Sequence, residues 1–372
     1  ELCFYHPHTA PVRVNVDWSL FTMEEPTGMT AYAYPLNEDD VDYYRFITHN
    51  LDYITLDLEA GKFHTLVFNQ SESEFGTIEF ADLEDYSSAQ VRVVQVKSNW
   101  YASKAPQTKV GSEPEWFATG SAENVEVTEA MVQTAEDEYL ANHQGIITRA
   151  DSRSVNDVAT VTPISVIKQV EFNIYAEGLY NLRSARGALE GMAEGCRLSN
   201  GAPTANQVAH TMDTWSVSTL PNDPASGYIK TVLSTFGLPE GHGGTADENK
   251  FQLSLLLVDN ETILTYEYHI GDILAAFSEM DGLDGEIQKV VVNLELPERL
   301  PDVMPMGGSG GGFDADVEDW GDEIETIIPM LIQVAITWVT GMFIIVANSL
   351  AVTNSVSLRT LLSAISCSRA SI

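Results

Sequence analysis

The sequence predicts an all-β protein built from two sandwich domains. Three observations carry this. Short runs alternate apolar and polar residues along both halves, the period of a half-buried strand. Glycine and proline turn signals separate these runs. The length, 372 residues, suits two domains that each bury a core of their own.

The elements follow in order. Val12-Arg13-Val14-Asn15-Val16-Asp17-Trp18 alternates cleanly, and Pro26, Thr27 and Gly28 make the turn after it. Residues 29–34 form a second strand stopped by Pro35, and residues 54–58 alternate again before Gly61. Residues 63–69, 77–80 and 91–96 supply three more strands. A helix is expected over 128–145, with Thr128 as its cap and Ala130, Met131, Ala135, Tyr139 and Leu140 at partial helical spacing. The polar stretch after it divides the chain into an N-terminal sandwich (1–148), a linker (149–162) and a C-terminal sandwich (163–330). The second sandwich opens with a β-branched run over 164–175. Residues 178–195 read as a short helix or compact crossover, because Ser184 precedes Ala185, Ala188, Leu189, Met192 and Ala193. Strands follow at 215–220 and 228–236. A hairpin joins 251–258 to 262–269 through Asp259-Asn260-Glu261, and a last strand spans 287–296.

The tail, 331–372, is different in kind. No charged residue occurs from 327 to 352, and only Arg359 and Arg369 follow. The run is long enough to cross a bilayer. Three readings stay open: a transmembrane anchor, a foreign extension, or an added strand pair, since Val334, Ile336, Trp338 and Val339 suit a strand as well as a helix.

Composition excludes some partners. With 19 basic and 54 acidic residues the net charge is −35, which repels phosphate backbones and anionic membrane surfaces. Nucleic acid is therefore not an expected partner. The acids are spread through alternating segments, as on solvated strand faces, and solubility is a better account of them than Ca²⁺ binding. Three cysteines, Cys3, Cys196 and Cys367, make no disulfide framework or zinc pair. The chain begins at Glu1 without Met, from which removal of a signal peptide is expected.

Catalytic constellations are not found. His6 and His8 lack a third metal ligand at a recognisable spacing, and the other histidines are scattered. Gly307-Gly308-Ser309-Gly310-Gly311 contains a nucleophile-elbow frame, but acids rather than a helix follow it. Those acids, from Asp314 to Glu325, alternate with Ala315 and Val317 as a half-exposed strand requires. No catalytic, cofactor-binding or metal-binding residue is assigned. Trp18, Trp100, Trp116, Trp215 and Trp320 would support glycan stacking only if two or three shared one exposed surface.

Several segments carry a resemblance. They are Glu1-Leu2-Cys3 with His6-Pro7-His8-Thr9, residues 14–18, and Leu66-Val67-Phe68-Asn69-Gln70-Ser71 with Phe75-Gly76. Glu113-Pro114-Glu115-Trp116 and residues 181–193 continue it. Over residues 1–330 the chain resembles the fimbrillin superfamily, in particular the FimB-like anchor or accessory lipoproteins of Bacteroides-type bacteria. The resemblance implies two tandem transthyretin-like β-sandwiches, a signal peptide, attachment through a lipidated Cys upstream of this chain, and exposure at the cell outer membrane. It implies a non-catalytic fimbrial (pilus) anchor or accessory subunit with a part in cell adhesion. Its partners would be other fimbrial subunits and host or bacterial surface glycans or proteins. The tail matches nothing in the resemblance.

Such subunits join by β-strand addition, in which an extended segment fills an open sheet edge. By pattern, the candidate donor or acceptor residues are Val14, Val16 and Trp18 in one segment and Phe313, Ala315 and Val317 in another. Ordinary intradomain strands are the better account of both segments. Arg149 and Arg153 are candidate processing sites in the expected linker. A glycan-binding surface lipoprotein is the alternative reading.

Overall fold

The computed structural model describes residues 8–36, 43–105, 108–142, 153–280 and 285–306, and the backbone of 328–330, 333–339 and 342–348. The first half runs β1 (Ala10–Val16), β2 (Met29–Pro35), β3 (Tyr44–Thr48), β4 (Tyr53–Leu58), β5 (Gly61–Asn69), β6 (Ile78–Ala81) and β7 (Gln90–Val93). After α1 (Asn99–Lys104) come β8 (Val110–Gly111), β9 (Ala118–Val127), α2 (Glu129–Asn142), β10 (Asn156–Val161) and β11 (Ile164–Ser165). The second half runs β12 (Lys168–Glu177), β13 (Leu182–Ala193), β14 (Gly195–Arg197), β15 (Gln207–Met212), β16 (Ser216–Leu220) and β17 (Asp223–Thr235). It continues with β18 (Lys250–Leu257), β19 (Ile263–His269), α3 (Gly271–Leu274) and β20 (Lys289–Glu295). Three strands lie in the last segment: β21 (Ile328–Met330), β22 (Gln333–Val339) and β23 (Met342–Asn348). The protein is all-β, as the alternation predicts.

The N-terminal sandwich packs the sheet β10-β1-β4 against β11-β9-β5-β2-β3. Val12 and Val14 of β1 meet Ile54 and Leu56 of β4, Met29 and Ala31 of β2, and Val67 of β5 in one core. Full burial of each of the larger side chains contributes about 1.5–3 kcal/mol. On the other face of β1, Arg13 lies 4.1 Å from the centroid of the Tyr53 ring. The predicted helix is present as α2, and the Thr128 hydroxyl caps it by accepting from the amide of Met131 at 3.3 Å. Val132 and Ala135 of this helix close the core.

The C-terminal sandwich packs β16-β17-β12-β20-β23-β22 against β21-β19-β18-β13-β15-β8. Phe172 of β12 stacks on Phe251 of β18 at 4.3 Å, and Val292 of β20 and Leu253 of β18 join the same core. The predicted hairpin is β18–β19. Asp259 holds its turn by accepting from the amide and hydroxyl of Thr262 at 3.0 and 2.6 Å.

Two expectations differ from the structure. The stretch 178–195 is not a helix: after a short turn at Leu179–Asn181 it forms β13, paired with β15 on one edge and β18 on the other. Its alanines favour helix locally, but both faces of the strand are buried, and tertiary packing overrides that weak preference. Gly191, at φ +79°, permits the irregularity where β13 shifts register against β15. The expected linker over 149–162 contains β10, which runs parallel to β1 from Val12↔Asn156 to Val16↔Val161. The described part of that stretch therefore belongs to the N-terminal sandwich and is not a free connector.

The halves are also joined more closely than tandem beads. β14 pairs with β7, β8 pairs with β15, and β6 extends the β14-β7 sheet. Gly195 is required at this crossing, because a Cβ there would lie 2.0 Å from the carbonyl oxygen of Val91. A third core sits between the sandwiches. Tyr32, Tyr34, Leu66, Phe68 and Phe117 from the first half pack with Ile167, Ala193, Cys196, Leu198 and Phe236 from the second. Thr119 and Ser121 donate hydroxyl hydrogen bonds to the carbonyls of Leu198 and Ser199, and Lys109 pairs with the buried Glu194 at 3.0 Å.

Candidate functional site

The strand addition expected from the sequence depends on which sheet edges are satisfied. β1 has none free. It pairs antiparallel with β4 and parallel with β10, so its main-chain donors and acceptors are used on both sides. Val14 and Val16 are buried, and the Trp18 indole N–H donates to the carbonyl of Leu51 at 3.0 Å. The candidate strand at 12–18 is an interior strand of its own sandwich. It could act as a donor only after leaving that sheet. Phe313, Ala315 and Val317 lie outside the described residues, as does Arg149.

Arg153 is placed, and it is not presented for cleavage. Its side chain is 7% exposed, with both terminal nitrogens on the Asp57 carboxylate at 3.2 and 3.0 Å and one on the carbonyl of Thr9 at 3.1 Å. A protease cleft takes an extended, accessible segment, and this guanidinium ties the strand that follows it to β4. In this structure Arg153 acts as a clamp on Asp57 and Thr9, which gives no support to processing there.

The C-terminal sandwich receives added strands at two edges. β23 runs parallel to β20 with Val292↔Ile345 and Asn293↔Val346, and β22 folds back on it from Gln333↔Asn348 to Val339↔Met342. β21 runs parallel to β19 with Tyr266↔Ile328 and Tyr268↔Met330. Bare edges would leave the outer N–H and C=O groups of β19 and β20 as templates for another chain. No helix among the described residues is long and apolar enough to cross a membrane.

The remaining chemistry-bearing residues do not converge. Among the described residues no three His, Cys, Asp or Glu side chains are grouped as metal ligands. His8 lies 3.9 Å from Glu136, while His6 is outside the described residues. Burial raises the Cys196 thiol far above its ordinary range. Burial also pushes the His210 imidazole down to about 4, against a smaller opposing effect of the Gly111 and Ser112 backbone. Among the described side chains the tryptophans share no platform. Trp215 belongs to the core of the second sandwich, and Trp18, Trp116 and Trp100 each pack against a different cluster. Trp320 is outside the described residues.

The seam between the sandwiches was not foreseen from the sequence. Residues 29–34 and 63–68 did signal it, because their apolar content is nearly continuous rather than strictly alternating. Such runs mark strands buried on both faces.

The fold is similar to that of solved structures. A candidate adhesin from Bacteroides ovatus superposes with a TM-score of 0.50 at 12% identity, covering 79% of this chain and 94% of its own. The fimbrial anchor protein Mfa2 from Porphyromonas gingivalis aligns with a TM-score of 0.41 at 10% identity, over 77% of this chain and 90% of that one. At this identity the first likeness establishes the fold alone. No curated protein matches the sequence. Residues 1–213 match the family described as a domain of unknown function, DUF5119, and the chain belongs to that family.

Proposed function

We propose that this protein is a non-catalytic subunit of a cell-surface fimbria or adhesion assembly, in an anchor or accessory role, joined to its neighbours by β-strand addition. One observation carries the reading. Both sheets of the C-terminal sandwich are extended at β19 and β20 by strands of the same chain from a segment far along it, which supports reading these edges as places that can take an extended segment. The fold shared with a candidate Bacteroides adhesin supports a surface role. The scatter of titratable side chains gives no support to an enzymatic reading. On this reading the chain is a lipoprotein, made with a signal peptide and held at the outer membrane by a lipid upstream of Glu1. Its partners are other fimbrial subunits and surface glycans or proteins.

The test is fractionation of surface fimbriae from cells producing a tagged form of the chain. The chain is expected in the fimbrial or outer-membrane fraction, in complexes that survive mild detergent. A protein found only in the cytosol, or at the surface as a free monomer, would overturn the reading.

A further inference from the structure

Among the described residues β16 pairs with β17 alone, at the opposite end of its sheet from β20, β23 and β22. Ser216, Ser218 and Thr219 are exposed, while Val217 packs against the core of the C-terminal sandwich. The strand is held firmly in place. Gly227 lets it approach closely, since a Cβ there would lie 2.1 Å from the carbonyl oxygen of Ser218. The Thr231 hydroxyl of β17 donates to the carbonyl of Thr214, just before β16, at 2.8 Å. The outer edge of β16 is therefore a fixed row of main-chain donors and acceptors.

This edge lacks the charge that guards the others. Among the described side chains, the other end strands of four or more residues are β3, β4, β6 and β10, and they carry Arg45, Asp57, Glu79 and Asp157. β16, with Ser216, Val217, Ser218, Thr219 and Leu220, carries neither charge nor proline. Its register shift against β17 falls between Thr219 and Leu220, so the bulge leaves Ser216 to Thr219 as a regular edge.

We infer that β16 pairs antiparallel with β16 of a second copy of this chain, about a two-fold axis through Ser218. Charge selects a second copy in this register. Two chains of net charge −35 repel one another, so they meet best where acids are sparse. The register opposes Ser218 to Ser218, Val217 to Thr219 and Ser216 to Leu220, with no acid among them. The rows beyond are complementary. Lys230 lies beside Ser216 and Asp223 beside Leu220, so each Lys230 shares a row with Asp223 of the other copy. Tyr228 lies beside Ser218, so the two exposed Tyr228 rings flank a pair of small serine side chains. An edge that complements itself in this way makes a closed dimer. The inference does not rest on the assembly reading, which concerns β19 and β20, and the dimer involves neither of those edges.

The experiment is sedimentation equilibrium of the full chain, with disulfide trapping as a second readout. A five-residue strand pair is a small interface, so a dimer with Kd on the order of 0.1 mM is expected. Added salt should strengthen it, because screening reduces the repulsion between two acidic chains. Ser218→Lys, at an exposed position, sets two like charges on the axis and should weaken the dimer about tenfold with an unchanged melting temperature. In a chain carrying Cys3→Ser and Cys367→Ser, Ser218→Cys should form a disulfide-linked dimer on mild oxidation. Residues opposed in an antiparallel pair have Cα atoms about 4.5–5.5 Å apart, within disulfide reach. Ser87→Cys, exposed on the turn between β6 and β7, is the control. The inference is overturned if the chain remains a monomer at about 0.5 mM, if Ser218→Lys dimerises as wild type does, or if Ser218→Cys cross-links no faster than Ser87→Cys. Fimbrial incorporation is read separately: a chain that enters fimbriae but stays monomeric in solution overturns the dimer alone.

Discussion

The two cores that meet at β2 and β5 were made differently. On one side, Met29, Ala31, Phe63 and Val67 close a core whose residues come from the first half and from the strand that completes it, β10. On the other side, Tyr32, Tyr34, Leu66 and Phe68 face a core finished by residues 166 to 236. The first core is mainly aliphatic, with Phe63 among its buried side chains and Val132 and Ala135 of α2 closing it. The second is rich in aromatic rings, crosses the domain boundary, and includes residues of the small sheet β14-β7-β6, which mixes strands from both halves. The difference shows that the two halves share a core, which predicts that they unfold together.

That contrast can be broken most forcefully at Phe117, which is fully buried and contacts the rings of Phe68, Phe75 and Phe80. Phe117→Ala should cost about 3–5 kcal/mol. Because the seam serves both halves, calorimetry should still record a single transition at a lower temperature; two separated transitions in the wild-type protein would contradict a shared core. Leu56→Ala, in the local core, should cost about 2–5 kcal/mol. Its hydrogen-exchange losses should concentrate in β1, β4 and β10 rather than in β7 and β14.

The seam should also respond to acid. His210 lies on β15, where that strand pairs with β8 of the first half, and its ring is fully buried. Its folded pKa, about 4, lies below the ordinary 6.5, so the unfolded chain binds more protons between these values. The stability contribution is complete above about pH 6.5 and is lost as pH falls towards 4. Urea midpoints measured from pH 7 to 4 should fall in the wild type and fall less in His210→Gln.

A smaller effect is expected at Gly195. An added methyl would meet the Val91 carbonyl oxygen, so Gly195→Ala should cost about 1–3 kcal/mol and weaken amide protection in β7. The smallest effect is expected on the local side. Arg153→Ala removes the Asp57 pair and should cost about 1 kcal/mol. The wild-type chain should resist trypsin at Arg153 under native conditions, as seen in the mass of the digestion products.

Much of the N-terminal sandwich could be read directly. Val12, Val14 and Val16 alternate with Arg13 and Asn15 because one face of β1 is dry and the other is not. The Asp259 turn and the Thr128 cap were readable for the same kind of reason, since each rests on contacts within a few residues. β9 was missed because Gly120, Ser121, Glu123 and Asn124 look like loop, yet two neighbouring strands, β5 and β11, pin it on either edge. β13 was misread because Ala185 and Ala188 have no local reason to be extended. The ring cluster of Tyr34, His64 and Tyr86 was invisible, because these residues come together only when β2, β5 and the β6–β7 turn are packed.

Alternation fixed which strand faces would be dry, because a period of two needs only the residue's own neighbours to declare it. It left open what would cover each face. The seam between Phe68 and Cys196, the clamp of Arg153 on Asp57 and the pairing of β7 with β14 join residues far apart in the chain. Their energies are earned only after the intervening loops close, so only the assembled fold selects them.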